Sequence, residues 1–282
     1  MSNIIHYGTS GNPPNFFKSK WGKDRRNALD WINSIGLNAY EYTMTHGARI
    51  KEEKAEYLKQ KAEEFGIKMS VHGPYYVVLT SDKKRVYDNS IIELLKTMRL
   101  SKIMGSDKVI FHPGFKKLGH LESLKQCIIG LKKVIKEFGD NTVKVLPETT
   151  GKICQLGNLE DIINICEQTE CIPCIDFGHL HARNLGSLKS KEDIRKILVE
   201  IEKRLGKKTI KNLHCHFYPI EYTDKGEKVH RAFFEKEFYP KFEHYAPLIK
   251  EFNMAPTLIS ESKNSQDLGA LHMKKVLEKI LK

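Results

Sequence analysis

Eight short runs rich in β-branched and aromatic residues alternate with eight longer amphipathic stretches along this 282-residue chain. The runs fall at 4–8, 39–42, 67–72, 108–112, 143–148, 172–176, 209–214 and 257–261. The stretches lie near 24–35, 51–65, 87–104, 121–138, 157–168, 191–205, 240–253 and 265–281. In the second stretch, Ala55, Leu58, Ala62 and Phe65 recur at helical spacing, as do Leu268, Leu271, Val276 and Ile280 in the last. Gly66, Gly105, Gly139 and Gly206 stand where helices should stop. Strict alternation of strand and helix selects parallel strands, because a helix returns the chain to the edge from which the last strand began. Eight such units, in a chain close to the typical size of about 250 residues, predict an α/β fold of the (β/α)8 TIM-barrel type. No linker or change of composition divides the chain, so a single domain over residues 1–282 is expected. An open doubly wound sheet is the alternative, but no Gly-x-Gly-x-x-Gly follows the first run.

Seven histidines and carboxylates follow these runs: His72, His112, Glu148, Asp176, His179, His214 and Glu261. In a closed parallel barrel all C-terminal strand ends meet at one mouth, so residues distant in sequence converge there. Imidazole and carboxylate are the side chains that hold zinc, manganese or iron at neutral pH. Any one of them alone reads as a hydrogen-bonded structural residue or a helix cap. Together, on six strands, they predict a metal centre.

The formal charge of +12 favours polyanionic partners, although a generally lysine-rich surface would give the same figure. Cys171-Ile172-Pro173-Cys174 has CxxC spacing, but no second pair exists and the motif leads into a strand, so reduced structural thiols are expected. No apolar run approaches the roughly 20 residues of a membrane span. The N-terminus lacks the form of a signal peptide, which makes a cytoplasmic location and no membrane association the expectation. The segments 73–87 and 215–238 are long for connections in a compact barrel and suggest structure that faces a substrate.

Three blocks carry a family likeness: Phe111-His112-Pro113-Gly114, Pro147-Glu148-Thr149-Thr150-Gly151 and Cys174-Ile175-Asp176-Phe177-Gly178-His179. With these in order on runs four to six, the whole chain resembles the endonuclease IV family of apurinic/apyrimidinic DNA endonucleases, within the xylose-isomerase-like barrels. The resemblance implies up to three zinc ions, with manganese or iron as alternatives. By that resemblance His72 and His112 hold one metal, Glu148 bridges to a second, and Asp176, His214 and Glu261 complete the second. His179 and His230 hold the third. His216, two residues beyond His214 on the same face of a strand, is expected to support rather than ligate. The family's Asp-x-His, which serves the third metal, reads Lys228-Val229-His230 here, and protonated lysine repels a metal. Glu227 or Asp224 could reach in instead, the third metal could be absent, or Lys228 could contact a substrate phosphate. Tyr75 and Arg49 correspond to residues that the family inserts into DNA. Gly8-Thr9-Ser10-Gly11 departs from the family's His-x-Ser opening.

The implied activity is metal-dependent hydrolysis 5′ to an abasic site in double-stranded DNA, by a monomer. It would leave a 3′-hydroxyl and a 5′-deoxyribose phosphate. Glu148 and Glu261 are the implied catalytic carboxylates, Glu148 fixing the metals and Glu261 orienting the attacking water. A sugar or sugar-phosphate isomerase or epimerase on the same barrel is the alternative, and a non-catalytic nucleic-acid-binding barrel is a third reading.

Overall fold

The structure, a computed structural model, describes residues 4–281. Eight parallel strands form one sheet: β1 His6–Ser10, β2 Ala39–Thr43, β3 Lys68–His72, β4 Lys108–Phe111, β5 Lys144–Pro147, β6 Cys174–Asp176, β7 His214–His216 and β8 Thr257–Ser260. Their order is β5-β4-β3-β2-β1-β8-β7-β6. The circle closes between β5 and β6 through a parallel bridge from Glu148 to Cys174, with Thr149 N donating to Cys174 O at 3.2 Å. The predicted TIM barrel is therefore what forms.

The helices start and stop for local reasons. Asn158 and Ser190 make capping boxes with Asp161 and Asp193, opening the helices Leu159–Gln168 and Lys191–Leu205. Gly66 and Gly139 end theirs in the left-handed region, at φ of 64° and 65°. The outward faces of the strands and the inner faces of the helices share one apolar core, in which Val71, Val109, Phe111, Val145 and Leu258 are buried against helical residues such as Leu94, Leu131 and Ile162. The barrel interior is partly polar. Glu41, Ser70, Lys108 and His214 are all buried.

Two departures from the sequence reading matter for the site. The run at 209–214 is not a strand at its start: Lys207–Lys211 forms a short helix, and Thr209 Oγ1 donates back to Leu205 O at 2.8 Å. A threonine that bonds into the preceding turn no longer favours the extended chain. The strand begins only at His214, and its mouth end is His216. The second departure is a helix, Phe177–Arg183, that starts directly after β6, where the Asp176 carboxylate accepts from His179 N at 2.6 Å. Among the described residues no helix is long and apolar enough to cross a membrane.

Candidate metal centre

Strand register decides which side chains meet. Asp176 pairs with His216 across β6 and β7, whereas His214 lies level with Cys174, one inward-facing layer deeper. Glu148 sits one residue past β5, fully buried in the middle of the mouth. Its Oε2 lies 3.1 Å from His72 Nε2 and 3.1 Å from His112 Nε2. Its Oε1 lies 3.1 Å from His216 Nδ1 and 3.3 Å from His179 Nδ1. Each oxygen of one carboxylate thus faces a different pair of imidazoles, the disposition of a bridging group.

Around His216 the remaining acids converge: Asp176 Oδ2 at 3.6 Å and Glu261 Oε1 at 3.7 Å from Nδ1, and Glu41 Oε1 at 3.0 Å from Nε2. Glu41 was not singled out in the sequence. A buried glutamate between Tyr40 and Tyr42 on a strand is the signal that could have found it. His214, expected as a ligand, instead places Nε2 3.0 Å from Glu41 Oε2, which also accepts from Ser70 Oγ at 2.8 Å. His214 lies one layer beneath the mouth cluster, in a group with Cys174 and His216, while His216 stands at the mouth beside Glu148 and Asp176.

A third group comprises His179, Glu227 and His230. Glu227 Oε2 lies 3.5 Å from His179 Nε2, and Glu227 Oε1 lies 3.4 Å from His230 Nε2. The long segment after β7 is an antiparallel hairpin, Ile220–Thr223 against Gly226–His230. Its register passes from Glu221↔Val229 to Tyr222↔Glu227, so Lys228 is one extra, unpaired residue. That bulge reverses the alternation of faces, and residues three apart turn to the same side. Glu227 and His230 therefore both reach the mouth, while Lys228 points outward to Glu221 Oε1 at 2.5 Å. Asp224 belongs to none of the candidate groups.

The electrostatics show an excess of buried acid. Burial alone would raise the pKa of Glu148, but His216 and His112 overcome it and hold the carboxyl well below the usual range. Burial opposes charge on His72, yet the hydrogen bond and charge of Glu148 push it up to about 9. His216 is likewise raised in spite of burial, by Cys174, Glu41 and Glu148. Burial of Glu227 is outweighed by His230 and His179, which bring it down to about 2. His214 behaves in the opposite way: burial lowers it to about 4. At the mouth the acids outweigh burial on His72 and His216, whereas at His214 burial outweighs the upward pull of Glu41.

These residues fit a divalent metal cluster. The donors are imidazole nitrogens and carboxylate oxygens, the set preferred by zinc, manganese and iron. Buried His112 Nε2, His216 Nε2 and Glu41 Oε1 have no aligned hydrogen-bond partner although carboxylate or imidazole atoms stand 3.0–3.1 Å away. Atoms that converge without donating to one another are arranged as ligands are.

Above the cluster lies a cavity of about 370 Å³, lined by Tyr75, Lys152 and Gln155 as well as His230 and Glu261. Tyr75 is 56% exposed, its ring centre 5.4 Å from that of His72. Arg49 lines a separate hollow of about 540 Å³ with Arg25, Lys51 and Lys54. The loop before Arg49 is fixed by Glu93, whose Oε1 accepts from Ala48 N at 2.6 Å and from Tyr76 Oη at 2.9 Å.

The family model described as a xylose isomerase-like TIM barrel matches residues 29–280. An uncharacterized protein of Methanocaldococcus jannaschii is 31% identical over 266 residues, spanning 92% of each chain. A probable endonuclease 4 of Aquifex aeolicus is 25% identical over 228 residues, which is 74% of this chain and 80% of that one. Endonuclease IV from Thermus thermophilus superposes with a TM-score of 0.74 at 16% identity, covering 97% of this chain and 99% of its own. A D-tagatose 3-epimerase-like protein gives 0.71 at 17% identity, covering 98% and 97%. At such identities the two structures speak to the fold alone.

Proposed function

The chain belongs to the xylose isomerase-like TIM barrel family, and from that premise we propose that it is a metal-dependent endonuclease that cuts the DNA phosphodiester 5′ to abasic sites, as in base-excision repair. The observation that carries the reading is the third group, His179, Glu227 and His230, added to the two groups that share Glu148. His72, His112 and Glu148 would hold one metal. Glu148, Asp176, His216 and Glu261 would hold the second, and His179, Glu227 and His230 the third. Zinc suits these donors, and manganese and iron remain compatible.

Divalent ions bound there would supply an acidified water and compensate the charge that develops on phosphate oxygens. The protein's own part is positional. Glu148, with one carboxylate oxygen beside His72 and the other beside His216, would hold the first two positions together. Asp176 is held from two sides, by Tyr218 Oη at 2.8 Å and His179 N at 2.6 Å. Glu261 lines the open cavity, which suits it to orient a nucleophile against a substrate phosphate. Tyr75 and Arg49 stand after β3 and β2 on the mouth side, where an aromatic ring can stack in place of a lost base and a guanidinium can hold a phosphate. The net charge of +12 suits retention of a duplex backbone.

A second reading is a sugar or sugar-phosphate epimerase. Glu148, Asp176, His216 and Glu261 alone could form a one-metal site, and an epimerase-like protein shares the fold. Five further ligand-type residues around them favour the endonuclease. The deciding experiment incubates a duplex carrying one abasic-site analogue with protein loaded with zinc, manganese or iron, with and without chelator. Chelator-sensitive incision 5′ to the analogue is expected. No incision under any loading, together with turnover of a ketose, would replace this reading with the second.

A further inference from the structure

Arg183 ends the helix that carries His179, and its side chain is spent in an unusual way. The residue is only 7% exposed, and Asp161 acts on it through charge alone, without a hydrogen bond. Its guanidinium donates instead to one loop. Nη1 reaches Thr150 O at 3.2 Å, Thr150 Oγ1 at 3.1 Å and Lys152 O at 2.7 Å. Nη2 reaches Ile153 O at 3.4 Å and Gln155 O at 2.8 Å. Burying an arginine costs free energy that an ordinary surface loop would not require. Four carbonyls and a hydroxyl gathered on one rigid fork fix the path of residues 150–155.

That loop is the seat of the hairpin. Glu227 N donates to Gly151 O at 3.0 Å, Ile153 N donates to Lys225 O at 3.1 Å, and Lys152 bridges Gly226. Gly226 has φ of 89°, and a Cβ there would stand 2.3 Å from Gly151 O, so the hairpin lies directly on the loop backbone. A continuous path follows. His179 belongs to the helix, Arg183 joins the helix to the loop, and the loop carries the hairpin that presents Glu227 and His230. The other two groups do not depend on it, because His72, His112, Asp176, His216 and Glu261 stand at strand ends.

We propose that Arg183 is a positioning residue that assembles the third metal position, by locking the loop 150–155 between the His179 helix and the Glu227–His230 hairpin. The inference rests on the proposed three-metal reading and adds the residue on which the third position depends. A lysine would keep the charge and lose the fork, and methionine would lose both.

The test measures metal content and affinity in chelator-buffered zinc for wild type, Arg183→Lys and Arg183→Met, with cobalt(II) absorption identifying the band of the third equivalent. Wild type should hold three equivalents. Arg183→Lys should weaken the third by at least about tenfold and Arg183→Met by up to about a hundredfold, the range known for supports of metal ligands, with the first two unchanged. If Arg183→Met fails to fold, as judged by the melting of metal-free protein, Arg183→Lys carries the comparison. Three equivalents at wild-type affinity in the foldable variants would overturn the role, and so would equal weakening of all three, which marks a merely structural arginine. Two equivalents in wild type would instead overturn the three-metal reading, and the inference with it.

Discussion

Gly151→Ala tests the third group with a single methyl. Gly151 does not occupy the left-handed region, so alanine meets no backbone strain there. What it meets are two candidate ligands: its Cβ would stand 2.7 Å from both Cβ and Oε2 of Glu227 and 2.8 Å from Cδ2 of His179. His179 cannot yield easily, because its Nδ1 is 2.8 Å from Thr149 O and it sits in a helix. Glu227 must therefore retreat by roughly 0.7 Å to restore ordinary contact, against a tolerance of about 0.2 Å for a metal–ligand distance. Overpacking of this kind costs about 1–3 kcal/mol. At about 1.4 kcal/mol per factor of ten, the third position should lose roughly 5- to 150-fold in affinity. The assay is a chelator-buffered zinc titration with metal counted by mass spectrometry. Glu227→Gln serves as a parallel variant, and the two changes together should be less than additive because they act on one ligand. An unchanged third affinity in Gly151→Ala would refute the packing argument, and full additivity would show that Glu227 is not the group displaced.

Glu261→Gln should reduce incision at an abasic analogue by at least about a hundredfold with duplex affinity largely retained, and an unchanged rate in single-turnover assays would remove Glu261 from its role. His216→Ala should lose the second metal, whereas His214→Asn should keep the metal count and lower the melting temperature; the opposite pattern in metal analysis would restore His214 as the ligand. Metal-free protein should melt several degrees lower than protein at a metal concentration 100-fold above Kd, a linkage of about 2.7 kcal/mol per site. Because the folded pKa of His72 is raised from 6.5 to about 9, its contribution is complete below pH 6.5 and is lost as pH rises through 9, so the metal-free protein alone should weaken over that window. A pH-independent metal-free melting curve would count against the charge balance. Lys108→Met should stabilise the fold by about 1 kcal/mol in urea unfolding, since among the described residues the buried Lys108 Nζ donates only to Thr257 Oγ1, at 3.5 Å, and burial lowers its pKa despite the charge of Asp107; a loss of that size would mean that the barrel floor needs the charge.

The barrel was legible because alternation and helix-stopping glycines are local signals, and because eight parallel strands leave a single mouth. The convergence of His72, His112, Glu148, Asp176 and Glu261 at that mouth was legible for the same reason, each following an apolar run. The choice of His214 over His216 rested on the resemblance alone; in the structure Thr209 bonds back into a helical turn, the strand begins at His214, and His216 stands at its mouth end. Two residues preserve the face and change only the depth, so periodicity could not distinguish His214 from His216. Glu41 and Arg183 were invisible for a different reason. Each acts through partners more than 25 positions away in sequence, and no spacing rule connects them.

The unpaired residue at Lys228 has a consequence for how such a centre can change over time. A regular strand presents two ligands at positions i and i+2, and a strand with one bulge presents them at i and i+3. The cavity sees the same two side chains in either case, since the surplus residue is carried outside, where Glu221 receives its charge. Insertion or deletion of one residue in this hairpin is thus silent at the centre and audible only at the surface. A fixed-spacing motif follows the covalent chain, whereas the facing of Glu227 and His230 follows the pairing register, and here the two have parted by one residue.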